Sequence, residues 1–247
     1  MYAAEIWTPT KHELQQIQKI HDNILKRILL CPQSTPRECV LLETGLWDVE
    51  TMMHEKQIMY LQKILKSNEN NTKNISLDPT TAWNKQITKI IQKYNITTDQ
   101  MEQLSKVQLK KIIKNKIKAE NITRIKAAGQ KKSKVNHLLS YKTDDTITKQ
   151  PRYIRDLPRK EAASIFTIRA RMMKIKANYP NMYPDKKCRW CKADNETQEH
   201  IINHCPNFET TTAGLQYTKI MENETENLKN EAKIINKIEE LIKDEIN

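Results

Sequence analysis

The sequence predicts an all-α chain: small helical bundles joined by polar linkers, then a Cys-Cys-His-Cys zinc knuckle and a terminal amphipathic helix. Three observations carry this. Apolar residues recur at three- and four-residue spacing in one segment after another, the period of a helix with one buried face. Only 3 glycines and 9 prolines occur in 247 residues, too few for a turn-rich β architecture or a Gly-rich phosphate loop. Hydrophobic residues make up 38%, aromatics 6%, and mean hydropathy is -0.76, which suits several small modules better than one large core.

The elements follow in order. Residues 11–30 place Leu14, Ile17, His21, Ile24, Leu25, Ile28 and Leu29 on one helical face, and Pro32 ends the helix. Ser34 and Thr35 are candidate caps for a short second helix carrying Val40, Leu41 and Leu42, which Gly45 stops. Asp48 caps a third, with Val49, Met52, Met53, Met59, Tyr60 and Ile64 on one face. These three would form a small helical bundle over residues 1–66. Residues 67–80 have almost no large apolar side chains and read as a linker.

A basic helical region, 81–130, begins with Trp83, Ile87, Ile90, Ile91 and Tyr94. It continues in a helix capped by Thr98 or Asp99, with Leu104, Val107, Ile112 and Ile113, and Gly129 closes it. Residues 131–183 combine a basic, weakly periodic stretch with a helix from about Arg159 through Ala177, apolar at Ile165, Phe166, Ile168, Met172 and Met173. After the knuckle at 184–208, the tail 209–247 ends in a helix with Leu228, Ala232, Ile235, Ile238, Leu241 and Ile242 on one side.

Formal net charge is +12, which favours polyanionic partners, nucleic acid first and acidic membrane second. The charge is uneven. Met101–Lys176 holds 21 basic against 6 acidic residues, whereas Pro206–Asn247 holds 5 against 9. An AT-biased coding sequence would raise Lys, Asn and Ile together, so the location of the charge carries more weight than its total. Candidate phosphate contacts are Lys110, Lys111, Lys114, Lys131, Lys132, Lys134, Arg152, Arg155, Arg169 and Arg171. The bland alternative is a set of solvated helix faces.

Three of the five cysteines lie in one segment, KCRWCKADNETQEHIINHCP, which reads C-x2-C-x8-H-x4-C. Two cysteines two apart can turn both thiolates toward one cation. Thr197 can cap a short helix that presents His200, and Pro206 prevents that helix from continuing past Cys205. Cys188, Cys191, His200 and Cys205 thus offer three sulfurs and one imidazole, a closed tetrahedral shell for one structural Zn2+. His204 could replace Cys205, although thiolate is the better ligand. Arg189 and Trp190, between the first two ligands, could pair with a phosphate and stack on a base; packing of Trp190 against the knuckle helix is an equal alternative. Cys31 and Cys39 read as small core residues.

Several landmarks together resemble a known family. The chain opens with Tyr2-Ala3-Ala4-Glu5-Ile6-Trp7, then shows Ser34-Thr35-Pro36 and Leu42-Glu43-Thr44-Gly45, an Arg-bearing helix at Ile168-Arg169-Ala170-Arg171, and the knuckle with Glu196-Thr197 and Cys205-Pro206. In this order they resemble the C-terminal part of a non-LTR retrotransposon reverse transcriptase, over nearly the whole chain. The resemblance implies a thumb-like region followed by a nucleic-acid-binding zinc knuckle. Ala3 stands where the family usually has Gly, and the family's fingers and palm are missing from this sequence.

Polymerase chemistry needs acidic residues on apolar strands holding two metal ions. The only adjacent aspartates, Asp144-Asp145, lie in a polar stretch, and no His-Glu-x-x-His run occurs, so no enzyme is expected. The expectation is a non-catalytic fragment gripping RNA or target DNA, single-stranded or the element's own transcript. The rival is a zinc-stapled protein-interaction scaffold or domesticated protein, with self-association through 228–246. No apolar run approaches the roughly 20 residues of a membrane span, and no signal peptide is legible. The clustered cysteines suit a reducing intracellular compartment, nucleus or cytoplasm, rather than secretion.

Overall fold

Among the described residues of this computed structural model, 3–68, 70–222 and 227–246, the chain forms thirteen α-helices and no strand. They are α1 (Lys11–Ile28), α2 (Arg37–Thr44), α3 (Val49–Leu65), α4 (Asn70–Leu77), α5 (Ala82–Lys93), α6 (Thr98–Gln103) and α7 (Lys106–Lys131). Then follow α8 (Ser133–Leu139), α9 (Arg152–Asp156), α10 (Arg159–Arg169), α11 (Glu209–Thr212), α12 (Tyr217–Glu222) and α13 (Leu228–Ile246). Tyr2 of the opening motif lies outside the described residues.

Two compact units result, each drawn from two stretches of sequence: residues 1–21 with 47–124, and 22–46 with 125–247. The expected 1–66 bundle is therefore divided, because residues 22–46 find their apolar partners far along the chain. In the first unit, Ile58 and Leu61 of α3 pack with Ile87, Ile90 and Tyr94, with Met101, and with Leu109, Ile113 and Ile117 of α7. Residues 67–80, expected to be a linker, contain α4.

In the second unit, α10 packs on α13, and Ile165, Phe166, Ile168, Ile235, Ile238 and Ile242 are all buried. The weakly periodic basic stretch contains α8 and α9, whose Val135, Leu138 and Tyr153 are buried. No helix among the described residues is long and apolar enough to cross a membrane.

Several boundaries differ from expectation for local reasons. Thr97 rather than Thr98 or Asp99 caps α6, in a capping box with Gln100. Thr35 does not cap α2, since its hydroxyl turns to the Met172 sulfur at 3.0 Å. Asp48 does cap α3, accepting from Thr51 N–H at 2.8 Å. Gly129 lies within α7, where a Cβ would come within 2.7 Å of Leu139 Cδ1; there glycine permits close approach of α8.

The helix expected through Ala177 stops at Arg169. Arg171 takes φ +51°, while its N–H bonds Ile168 O and the Met172 N–H bonds Thr167 O, a Schellman ending without glycine. Leu30 and Asn95 end α1 and α5 by the same pattern, at φ +50° and +49°.

Candidate metal centre

The knuckle begins with a bridge between Lys187 and Asn195, which folds the intervening residues into a tight turn. Within it Cys188 N–H donates to Asp194 O at 2.7 Å and Lys192 N–H to Cys188 O at 3.0 Å, with Lys192 at φ +59°. This turn carries Cys188 and Cys191. Thr197 Oγ1 then accepts from His200 N–H at 3.0 Å, capping the short helical turn as its sequence position suggests. That turn is wide, closed by a Cys205 N–H to His200 O bond at 2.7 Å, and the wider pitch presents His200 and Cys205 together.

The four candidate ligand atoms lie within 4.8 Å of one another. Cys188 Sγ is 3.9 Å from Cys205 Sγ, and Cys191 Sγ is 3.2 Å from His200 Nε2. A tetrahedral ion with metal–sulfur bonds of about 2.3 Å requires sulfur–sulfur edges of about 3.8 Å, so these four residues could bind one metal ion. Cys205 is buried, whereas His204 is exposed and outside the cluster, which decides between the neighbours.

Burial pushes the Cys191 thiol up, but hydrogen bonds from the N–H groups of Ala193 and Asp194, and from Cys188 and His200, bring it down to about 6. Burial, together with the neighbouring Cys188 and Cys191 sulfurs, pushes Cys205 up to about 12. Ionising all three thiols so close together is unfavourable unless a cation shares their charge. The other nitrogen of His200, Nδ1, is buried and faces the Asp194 carboxylate at 4.0 Å, the side from which acidic groups orient ligating imidazoles.

Glu196, unassigned by sequence reasoning beyond its place in a motif, fastens the knuckle to the chain after α10. Its fully buried carboxylate accepts from Arg189 N–H, Nε and Nη2 and from Lys176 N–H, at 2.7–3.0 Å. Gln198 Nε2 adds a 2.9 Å bond to Ile168 O at the end of α10. Arg189 is therefore committed to a carboxylate rather than free for a phosphate. Trp190 meets Phe208 edge-on at 4.8 Å, the packing alternative of its two readings.

Of the other basic candidates, Lys110, Lys111 and Lys114 come together on the exposed face of α7, beside Lys106 and Val107, which is 79% exposed. None of those four lysines has an ion pair among the described residues. The rest are dispersed. Lys131 is exposed, Lys132 pairs with Glu38 at 2.8 Å, and Lys134 lies half-buried 5.2 Å over the Tyr179 ring. Arg152 and Arg155 both reach Asp156, at 3.6 and 2.8 Å. Arg171 is exposed, but Arg169 is 2% exposed and pairs with Glu43, which removes it from the phosphate-contact set.

In the tail helix, Ala232, Ile235, Ile238 and Ile242 of α13 are buried in the second unit against α10. Asp144 pairs with Lys126 at 2.6 Å on an exposed stretch. Compared with protein-family models, curated proteins and solved structures, the chain matches none.

Proposed function

We propose that the chain is a non-catalytic nucleic-acid-binding module, stapled in its second unit by one structural zinc ion and gripping phosphates through α7. Zinc is the metal that the donor set favours: three thiolates and an imidazole are soft to borderline ligands in a closed four-coordinate shell, leaving no position for a reacting water. The observation that carries the nucleic-acid reading is the α7 face. Lys106, Lys110 and Lys114 recur every four residues, about 6 Å apart along the axis, with Lys111 beside them. A row of cations without an ion pair among the described residues suits a polyanion's backbone.

The resemblance to the C-terminal part of a non-LTR retrotransposon reverse transcriptase agrees with this reading. Ala3, which stands where that family usually has glycine, takes φ +53°, a conformation glycine adopts freely. RNA or DNA, single-stranded or the element transcript, is the partner in this reading, and the two nucleic acids are the two arms of the test. The experiment is a gel shift of the full chain against single-stranded RNA and DNA across a salt series, beside the Lys110→Glu/Lys111→Glu/Lys114→Glu variant. Steeply salt-dependent binding, weakened in the variant, supports the proposal; binding indifferent to salt, or to the variant, contradicts it. Self-association in sedimentation without nucleic-acid binding favours a scaffold instead.

A further inference from the structure

The geometry points to a binding site for a nucleoside monophosphate in the first unit, separate from both the α7 lysine face and the metal centre. A cavity of about 310 Å³ opens between the start of α1, α3 and α5. That volume lies at the lower end of the range in which small molecules bind, about 300–1,000 Å³. Its floor is apolar, formed by Leu14, Met53 and Ile90, the kind of surface a planar heterocycle covers. Three cations, Lys11, Lys89 and Lys93, line it against a single carboxylate, Glu50. Lys93 already holds Glu120 at 2.7 Å, whereas Lys11 and Lys89 have no ion pair among the described residues.

The wall adds directional groups. His54 is 6% exposed and fixed through Nδ1 by the Tyr94 hydroxyl at 3.1 Å. Its Nε2 stands 3.9 Å from Glu50 Oε1, beyond hydrogen-bond reach, and the residue lines the cavity. Glu50 is half exposed and can accept from a sugar hydroxyl. Apolar floor, polar wall and cationic rim match base, sugar and phosphate in turn. The same chemistry is offered by a free nucleotide and by a nucleotide at the end of a strand.

The test is isothermal titration of the full chain with adenosine 5′-monophosphate at low salt, with adenosine and inorganic phosphate as comparisons. The expected result is one saturable site, bound more weakly by either fragment alone. Lys11→Glu with Lys89→Glu should weaken it at least about tenfold, the loss of one or two charged contacts. Leu14→Trp, at a half-buried position in the cavity lining, should fill the cavity and abolish binding while thermal melting stays cooperative. Lys110→Glu/Lys111→Glu/Lys114→Glu should bind the nucleotide normally. Competition by a short 5′-phosphorylated oligonucleotide identifies a strand end as the occupant, and its failure to compete identifies the free nucleotide. No saturable binding, or binding unchanged in Leu14→Trp, overturns the inference, whatever the gel shift shows for the α7 face.

Discussion

The Glu43 carboxylate accepts from Nε and Nη2 of Arg169 at 2.9 and 3.1 Å, with both side chains almost wholly buried. Around them, Tyr153 OH donates to Glu43 at 2.5 Å, Lys142 Nζ stands 3.4 Å away, and Arg169 also donates to Ile220 O at 2.7 Å. This network ties α2, α9, α10 and α12 of the second unit together. It also explains why an arginine on a helix that reads as nucleic-acid-binding serves the core.

Breaking that pair should be costly, because one charge would stay buried without its partner. Glu43→Gln or Arg169→Leu should each destabilise the chain by about 3–5 kcal/mol in urea unfolding. A loss within about 0.5 kcal/mol would mean that the network is dispensable.

Acid should weaken the fold in two steps. Burial, with Lys93 near one ring and Arg171 and Arg169 near the other, lowers His54 and His137 to about 4. The unfolded chain takes up these protons near pH 6.5 and the folded chain does not, so stability should fall as pH drops from 6.5 toward 4. Burial opposes ionisation of Glu43, yet Arg169 and Lys142 hold it down to about 2. Its contribution is present above about pH 4.5 and is lost as pH falls toward 2. Urea midpoints at pH 7.5 and 5 test the first step, and His54→Gln with His137→Gln should shrink that difference.

The α7 face gives a salt prediction. Reversing Lys110, Lys111 and Lys114 should make the log–log salt slope of single-stranded RNA binding shallower by about 2, at about 0.7 for each phosphate that is no longer neutralised. An unchanged slope would place the phosphate-binding cations elsewhere on the chain.

Trp190→Ala separates packing from stacking. Half-exposed against Phe208, it should cost about 2 kcal/mol of stability, below the cost for a fully buried tryptophan, and leave RNA affinity unchanged. An affinity loss of tenfold with stability intact would assign it to base stacking.

Helical periodicity and the metal spacing were legible in the sequence, because both are local. Asp48, Gly45 and Thr197 act as caps or stops where their residue types suggest. The end of α10 was not legible, since Arg171 adopts a left-handed conformation without glycine to mark it. Nor was the fate of Arg169, which depends on a carboxylate 126 residues away. The division into two units was hidden for the same reason: residues 22–46 find their partners beyond residue 124. At the candidate metal site the four clustered side chains could be read from spacing alone, but the clasp by Glu196 needed the folded turn that brings Arg189 and Lys176 to it.

The most direct test is metal content by mass spectrometry under native conditions on the purified chain. One zinc ion per chain is expected, retained in His204→Ala, lost in Cys205→Ala, and removable by a strong chelator with loss of structure in the second unit. A chain without stoichiometric divalent metal, or a Cys205→Ala variant with full zinc content, would contradict the account.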